Sequence, residues 1–244
     1  MAVSDDRVAL VFRHLEEMST DDALALANFG AAQGFDIWLQ PGGPDTAYPL
    51  ADTTPALLSY QAGGCRIQFA PLDFTQVNAD INRLMIDRVL ELIEAGPSDR
   101  VLDLFCGVGN FTLPLARAAG RVFGIEGELA LADRANANAA ANGLANVECV
   151  KGDLNDPAAA LPADAVSFNK VLLDPPRTGA QALLEHFDFS AVERAVYVSC
   201  NPATLARDAG LMCGRHGFRL AAAGIMDMFP HTAHVESIAV FDRS

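Results

Sequence analysis

The chain has 244 residues, a formal net charge of −14, 51% hydrophobic and 20% charged residues. That length allows one large or two modest domains, and that composition supports a packed core and argues against disorder. The acidity points away from nucleic acid, whose phosphates are gripped by Lys and Arg; no apolar run reaches the ~18 residues of a membrane span, and MAVSDDRVAL lacks a secretory pattern, so a cytoplasmic protein is expected.

The first 75 residues mix short strand-like runs, at Arg7–Phe12 and Ile37–Leu39, with one helix over Thr20–Gln33. Ser19 or Thr20 caps that helix, and Asp21 and Asp22 suit the positive end of its dipole. PGGPDTAYP at 41–49 reads as a loop, and Leu57–Tyr60 and Cys65–Phe69 flank a Gly-Gly turn as a hairpin. From residue 76 to 244 the pattern becomes regular. A helix is expected over Val77–Ala95, its apolar residues near helical spacing. Strands at Arg100–Leu104, Arg121–Ile125, Val147–Val150, Lys170–Leu173 and Ala195–Val198 then alternate with helices at Phe111–Ala119, Leu129–Asn142, Ala180–Phe187 and Ala203–His216. Such alternation implies a mostly parallel, doubly wound α/β sheet covered on both faces. Arg219–Met226 and Val235–Phe241 follow with no helix between them, which predicts an antiparallel C-terminal strand pair.

In this architecture ligands bind at the carboxyl ends of the strands. The first strand of the regular region runs into Asp103-Leu104-Phe105-Cys106-Gly107-Val108-Gly109-Asn110-Phe111. Two glycines allow a tight turn and a close approach of backbone to ligand, and the next helix offers free N–H groups. Glu126 ends the second strand, placed to accept from both hydroxyls of a ribose; Asp153 follows the third, placed for an adenine edge. A dinucleotide site would want a third glycine where Thr112 stands.

Asp174-Pro175-Pro176-Arg177 follows the fourth strand. It is similar to the motif with which amino-methyltransferases stack a base on an aromatic residue, but Arg177 replaces that aromatic, so amine methylation is the alternative reading. Cys200, in Ser199-Cys200-Asn201-Pro202, follows the fifth strand and precedes a helix, a position expected to lower its pKa and raise its thiolate fraction. A thiolate adding to carbon 6 of a pyrimidine makes carbon 5 nucleophilic, and a general base must later remove the carbon-5 proton. Glu236 is the candidate base, with His231 and His234 competing from the same segment. The five cysteines (65, 106, 149, 200 and 213) are odd in number and form no CxxC pair, which argues against a disulfide framework or a local zinc or iron–sulfur site; no metal site is expected.

DLFCGVGNF, LLDPPR, YVSCNPATLARD and DMFPHTAHVES, in that order, resemble the RNA uracil-5-methyltransferases, and most closely the branch acting on 23S ribosomal RNA. WLQPGG and FTQVN are similar to that branch's central domain. The resemblance implies a class I, Rossmann-like fold that uses S-adenosylmethionine. It implies a partial central α/β subdomain over 1–75 and a catalytic domain over 76–244, with Cys200 as nucleophile and Glu236 as base. Gln76, Phe105, Gly107, Asn110, Glu126, Asp153 and Asp174 would line the cofactor site; position 153 is often an amide in that branch. The implied partner is ribosomal RNA, with no obligate protein partner evident. Members of the family also carry an N-terminal β-barrel and an iron–sulfur cysteine cluster; neither is visible, so a truncated chain with no iron–sulfur cluster is expected. Of 17 basic residues, 14 lie from Arg83 onward, so the remaining RNA surface is expected in the catalytic domain, with weak affinity for this chain alone. A non-catalytic cofactor-binding fragment is the other alternative.

Overall fold

The computed structural model describes residues 1–51, 55–156, 161 and 167–243. They form two compact units: Met1–Gln61 with Arg66–Phe74, and Ala62–Cys65 with Thr75–Ser244. In the first, β1 (Ala2–Val3), β2 (Val8–Arg13), β3 (Phe35–Gln40) and β4 (Tyr48–Pro49) form a sheet in that order. β2 and β3 run parallel, joined by α1 (Thr20–Gln33). Ser19 Oγ accepts from Asp22 N at the start of α1, and Gly34, at φ 71°, ends it. β1 and β4 were not expected, because two residues carry no alternation to read. β5 (Leu58–Ala62) and β6 (Cys65–Phe69) pair separately across Gly63-Gly64, both at positive φ as a tight hairpin turn requires.

The second unit opens with α2 (Ala79–Ile93), shorter at both ends than its apolar periodicity suggests. Asn78 takes the cap position, accepting from Ile81 N at 3.2 Å, and Glu94 leaves the helix in the left-handed region. Met85, Ile86, Val89 and Ile93 are its buried stripe. β7 (Arg100–Leu104), α3 (Thr112–Ala116), β8 (Arg121–Glu126), α4 (Leu129–Ala141), β9 (Val147–Lys151), β10 (Lys170–Leu173), α5 (Gln181–His186), β11 (Arg194–Ser199), α6 (Pro202–Gly214), β12 (Phe218–Met226) and β13 (Glu236–Arg243) follow. α3 is shorter than predicted because the chain tightens after Pro114, where Arg117 N and Ala118 N bond to carbonyls three residues back.

The seven strands lie in the order β12-β13-β11-β10-β7-β8-β9. All neighbours from β11 to β9 are parallel, while β13 is antiparallel to both β11 and β12. The antiparallel pair is present, with one refinement: the last strand inserts between β11 and β12 rather than adding at the edge. Valines, leucines and isoleucines fill β7, β8, β10 and β11, as a sheet covered on both faces demands. Each such side chain, fully buried, contributes about 1.5–3 kcal/mol. Asp103 is the exception, a carboxylate 0% exposed inside β7.

Candidate active site

After β9 the chain returns to lay β10 beside β7, so the strand order reverses between them. In sheets of this kind that reversal is where the ligand crevice lies, at the carboxyl ends of the strands. On the β7 side, Phe105 stands at φ 69°, a left-handed conformation uncommon for an aromatic residue, and its N–H bonds to Ile125 O at 2.9 Å. Gly107 and Gly109, at φ 55° and 93°, continue the turn. A Cβ on Gly107 would meet nothing within 4 Å, whereas one on Gly109 would lie 2.2 Å from Leu113 Cδ1. Gly107 therefore faces open space and Gly109 is pressed against α3.

Glu126, half-buried at the end of β8, fastens this loop: Oε2 accepts from Gly107 N at 2.9 Å and Oε1 from Glu128 N at 3.1 Å. Gly152 N bonds to Glu126 O at 2.8 Å, which sets Asp153 beside it. The Asp153 carboxylate is exposed and accepts from Asn155 N and Nδ2. Asn110 exchanges two hydrogen bonds with Asn82 of α2, each 3.0 Å, so its amide is anchored to that helix. Gln76 is half-buried, three residues ahead of α2.

Asp103, which heads the run into the glycine loop, was given no role from the sequence. Its Oδ2 accepts from Thr112 Oγ1 at 2.6 Å, while Oδ1 is buried without a hydrogen-bond partner among the described residues. Burial raises its pKa to about 7; the Thr112 bond opposes the rise and the Glu126 charge adds to it. A strand-interior acid two residues ahead of the glycine loop is the signal that could have found it.

On the other side, Asp174 follows β10 and Cys200 follows β11. The antiparallel pairing of β11 with β13 puts Ser199 opposite Ser237, so Glu236, the first residue of β13, comes to the same edge as Cys200. Thirty-six positions apart in sequence, the two side chains influence each other electrostatically. Glu236 is 2% exposed, and burial raises its pKa to about 7. Asp174 is held well above the ordinary carboxylate range by burial, then by Glu236 and Asp103.

Cys200 departs from expectation. Its pKa is raised, not lowered: partial burial of the sulfur and the Glu236 charge outweigh a hydrogen bond and positive charge from Arg177, and Asp174 adds to the rise. Arg177 also reaches His234 Nδ1 at 3.1 Å. His231, at φ 66°, and His234 are exposed. Among the described residues no cluster of His, Cys, Asp or Glu could hold a metal ion, and no helix is long and apolar enough to cross a membrane.

A buried polar cluster underlies this edge. Asp208 of α6, 0% exposed, accepts from Tyr197 Oη at 2.6 Å, Ala180 N at 2.7 Å and Arg207 Nε at 2.8 Å. Arg207 donates onward to Thr178 O at 2.9 Å.

The sequence profile described as tRNA (Uracil-5-)-methyltransferase matches residues 4–244. A 23S rRNA (uracil(1939)-C(5))-methyltransferase, RlmD, of Methylococcus capsulatus is 52% identical over 99% of this chain, and its counterpart from Alkalilimnicola ehrlichii 51% identical over 100%. In each case the match covers 55% of the relative, so the chain spans about half the length of the curated relatives it matches. Among solved structures, the Pyrococcus abyssi tRNA (uracil-54, C5)-methyltransferase in complex with S-adenosyl-L-homocysteine superposes with a TM-score of 0.77 at 24% identity, over 97% of this chain and 57% of that one. Trm5b of the same organism superposes with a TM-score of 0.65 at 16% identity, over 96% and 72%. These two likenesses establish the class I methyltransferase fold.

Proposed function

From the premise that this chain belongs to the tRNA (uracil-5-)-methyltransferase family, we propose that it transfers a methyl group from S-adenosylmethionine to carbon 5 of a uridine in RNA, with 23S ribosomal RNA as substrate. The observation that carries the proposal is the meeting of Cys200 and Glu236 at one sheet edge, across the crevice from a glycine loop that faces open space. On this reading residues 76–244 perform the chemistry, residues 1–75 are part of a central subdomain, and the protein works in the cytoplasm.

The donor set fits an adenosyl amino acid. Glu126 retains acceptor capacity beyond its two backbone bonds and would take the ribose hydroxyls. Asp153, beside it, would take the adenine edge. The unpartnered Asp103 Oδ1 supplies an acceptor beneath the loop for an ammonium group. Gln76, Phe105, Gly107, Asn110 and Asp174 complete the lining. When bound, S-adenosylmethionine supplies an electrophilic methyl group.

The protein's own part is addition and elimination. The Cys200 thiolate bonds to carbon 6 of uracil, and the electron pair of the 5,6 double bond makes carbon 5 the nucleophile. After methyl transfer, Glu236 removes the carbon-5 proton, the double bond reforms and the sulfur leaves. Arg177 offsets the negative surroundings of the thiolate. Reaching the base requires a flipped or single-stranded nucleotide.

RNA carrying 5-fluorouridine tests the assignment, because fluorine on carbon 5 blocks the elimination and leaves protein and RNA joined. A denaturation-resistant adduct is expected for the wild-type protein and none for Cys200→Ala; an adduct in that variant rules the nucleophile out. Calorimetry with S-adenosylmethionine alongside a turnover assay separates an active enzyme from a cofactor-binding fragment, which would bind without turnover.

A further inference from the structure

The turn that carries Arg177 is clamped from beneath. Gly179 N bonds to Pro176 O at 2.8 Å, closing a turn over residues 176–179. Arg207 holds Thr178 O, and Asp208 holds Ala180 N. Asn201, the residue after Cys200, donates its side-chain amide to Arg177 O at 3.1 Å. The cap residue of α6 and two side chains from its middle thus fasten the backbone at Arg177 and just after it. The fit is close: Gly179 sits at φ 78°, and a Cβ there would lie 2.4 Å from Arg207 Nη2 and 2.5 Å from Asp208 Oδ2.

A carboxylate buried to 0% exposure is costly unless its lone pairs are filled, and Asp208 is filled by a hydroxyl, a backbone N–H and a guanidinium. Tyr197 belongs to β11, three residues before Cys200. The cluster therefore ties together the strand that leads to the sulfur, the helix that follows it and the turn that presents Arg177. The partners these groups show are Tyr197, Thr178 and Ala180, so their effect on chemistry passes through what they hold.

We propose that Arg207 and Asp208 form a positioning clamp that sets the Arg177 guanidinium against the Cys200 sulfur and so governs how readily the thiolate forms. The proposal rests on the assignment of Cys200 as nucleophile for its importance, but not for its test. Among the described residues Arg177 is the cation acting on a sulfur that Glu236 and Asp174 also act on, and its guanidinium also meets the imidazole of His234. A guanidinium displaced by an ångström or two loses its hydrogen bond, and the thiol then feels mainly the carboxylates.

The test is the pH dependence of Cys200 alkylation by iodoacetamide, followed on the Cys200 peptide by mass spectrometry so that the exposed Cys213 does not interfere. It needs neither RNA nor turnover. Arg207→Gln changes a partly exposed side chain and is the variant expected to fold; Asp208→Asn keeps the shape of the buried group. Each is expected to raise the alkylation midpoint by about half to one pH unit, a ~3–10-fold lower rate near neutrality, as Arg177→Gln does. Arg177→Gln/Arg207→Gln is expected to match Arg177→Gln alone, because the clamp acts through that residue, and Arg207→Lys to recover only part of the loss. The proposal is overturned if Arg207→Gln leaves the profile at the wild-type position, if Arg177→Gln does not shift it, or if the two shifts add. A chain that binds no S-adenosylmethionine or shows no methyl transfer, yet follows the expected profiles, refutes the function and not the clamp.

Discussion

Replacing Glu236 by Gln should make the protein more stable, and only at the pH values where the carboxylate would be charged. Glu236 is 2% exposed, and burial alone accounts for the rise of its pKa from an ordinary 4.5 to about 7. A folded state with the higher pKa binds the proton more tightly than the unfolded chain. The protonated form's full stability is therefore present below about pH 4.5 and is lost as the pH climbs through 7. At ~1.4 kcal/mol per pH unit, the charged form costs about 3 kcal/mol above pH 8 and under about 1 kcal/mol at pH 5. Gln resembles the protonated acid and escapes that cost. Urea unfolding of both proteins at pH 5 and pH 8.5 should show a stabilisation by Glu236→Gln that grows by about 2 kcal/mol between the two. The same substitution should slow release of the protein from methylated RNA, since Gln accepts no proton. A stability difference equal at the two pH values would refute the reasoning, because the side chain would then cost the same charged or neutral.

Gly109→Ala should lower stability by about 2–5 kcal/mol, combining left-handed strain with the overlap against Leu113; an unchanged urea midpoint would show that α3 gives way freely. Tyr197→Phe removes a buried 2.6 Å bond to a carboxylate and should cost about 1.5–3 kcal/mol, read from the same unfolding curves. Glu126→Ala should weaken S-adenosylmethionine binding by about 10–100-fold in calorimetry; equal affinity would move the ribose contact elsewhere.

The parallel sheet was legible because its strands are short apolar runs between amphipathic helices, and Arg100–Leu104 and Lys170–Leu173 match the observed strands end to end. The acids at strand ends were legible because the topology fixes which end faces the crevice. What escaped depends on packing across the sequence. Asp103 reads as one acid in an apolar strand until its burial is seen. Asp208 reads as a polar position on α6 until Tyr197 and Ala180 are found on it. The direction of the Cys200 pKa was misjudged because the helix N-terminus is local and visible in the sequence, whereas Glu236 arrives from β13 and burial from the whole edge.

The placement of β13 between β11 and β12 bears on what the proposed chemistry asks of the sheet. The glycine loop and its glutamate follow β7 and end β8, while Glu236 is brought beside the thiol by β13, which lies between β11 and β12. On the proposed roles, the groups that make and break the bond to the base are therefore brought together by a single antiparallel pairing, that of β11 with β13.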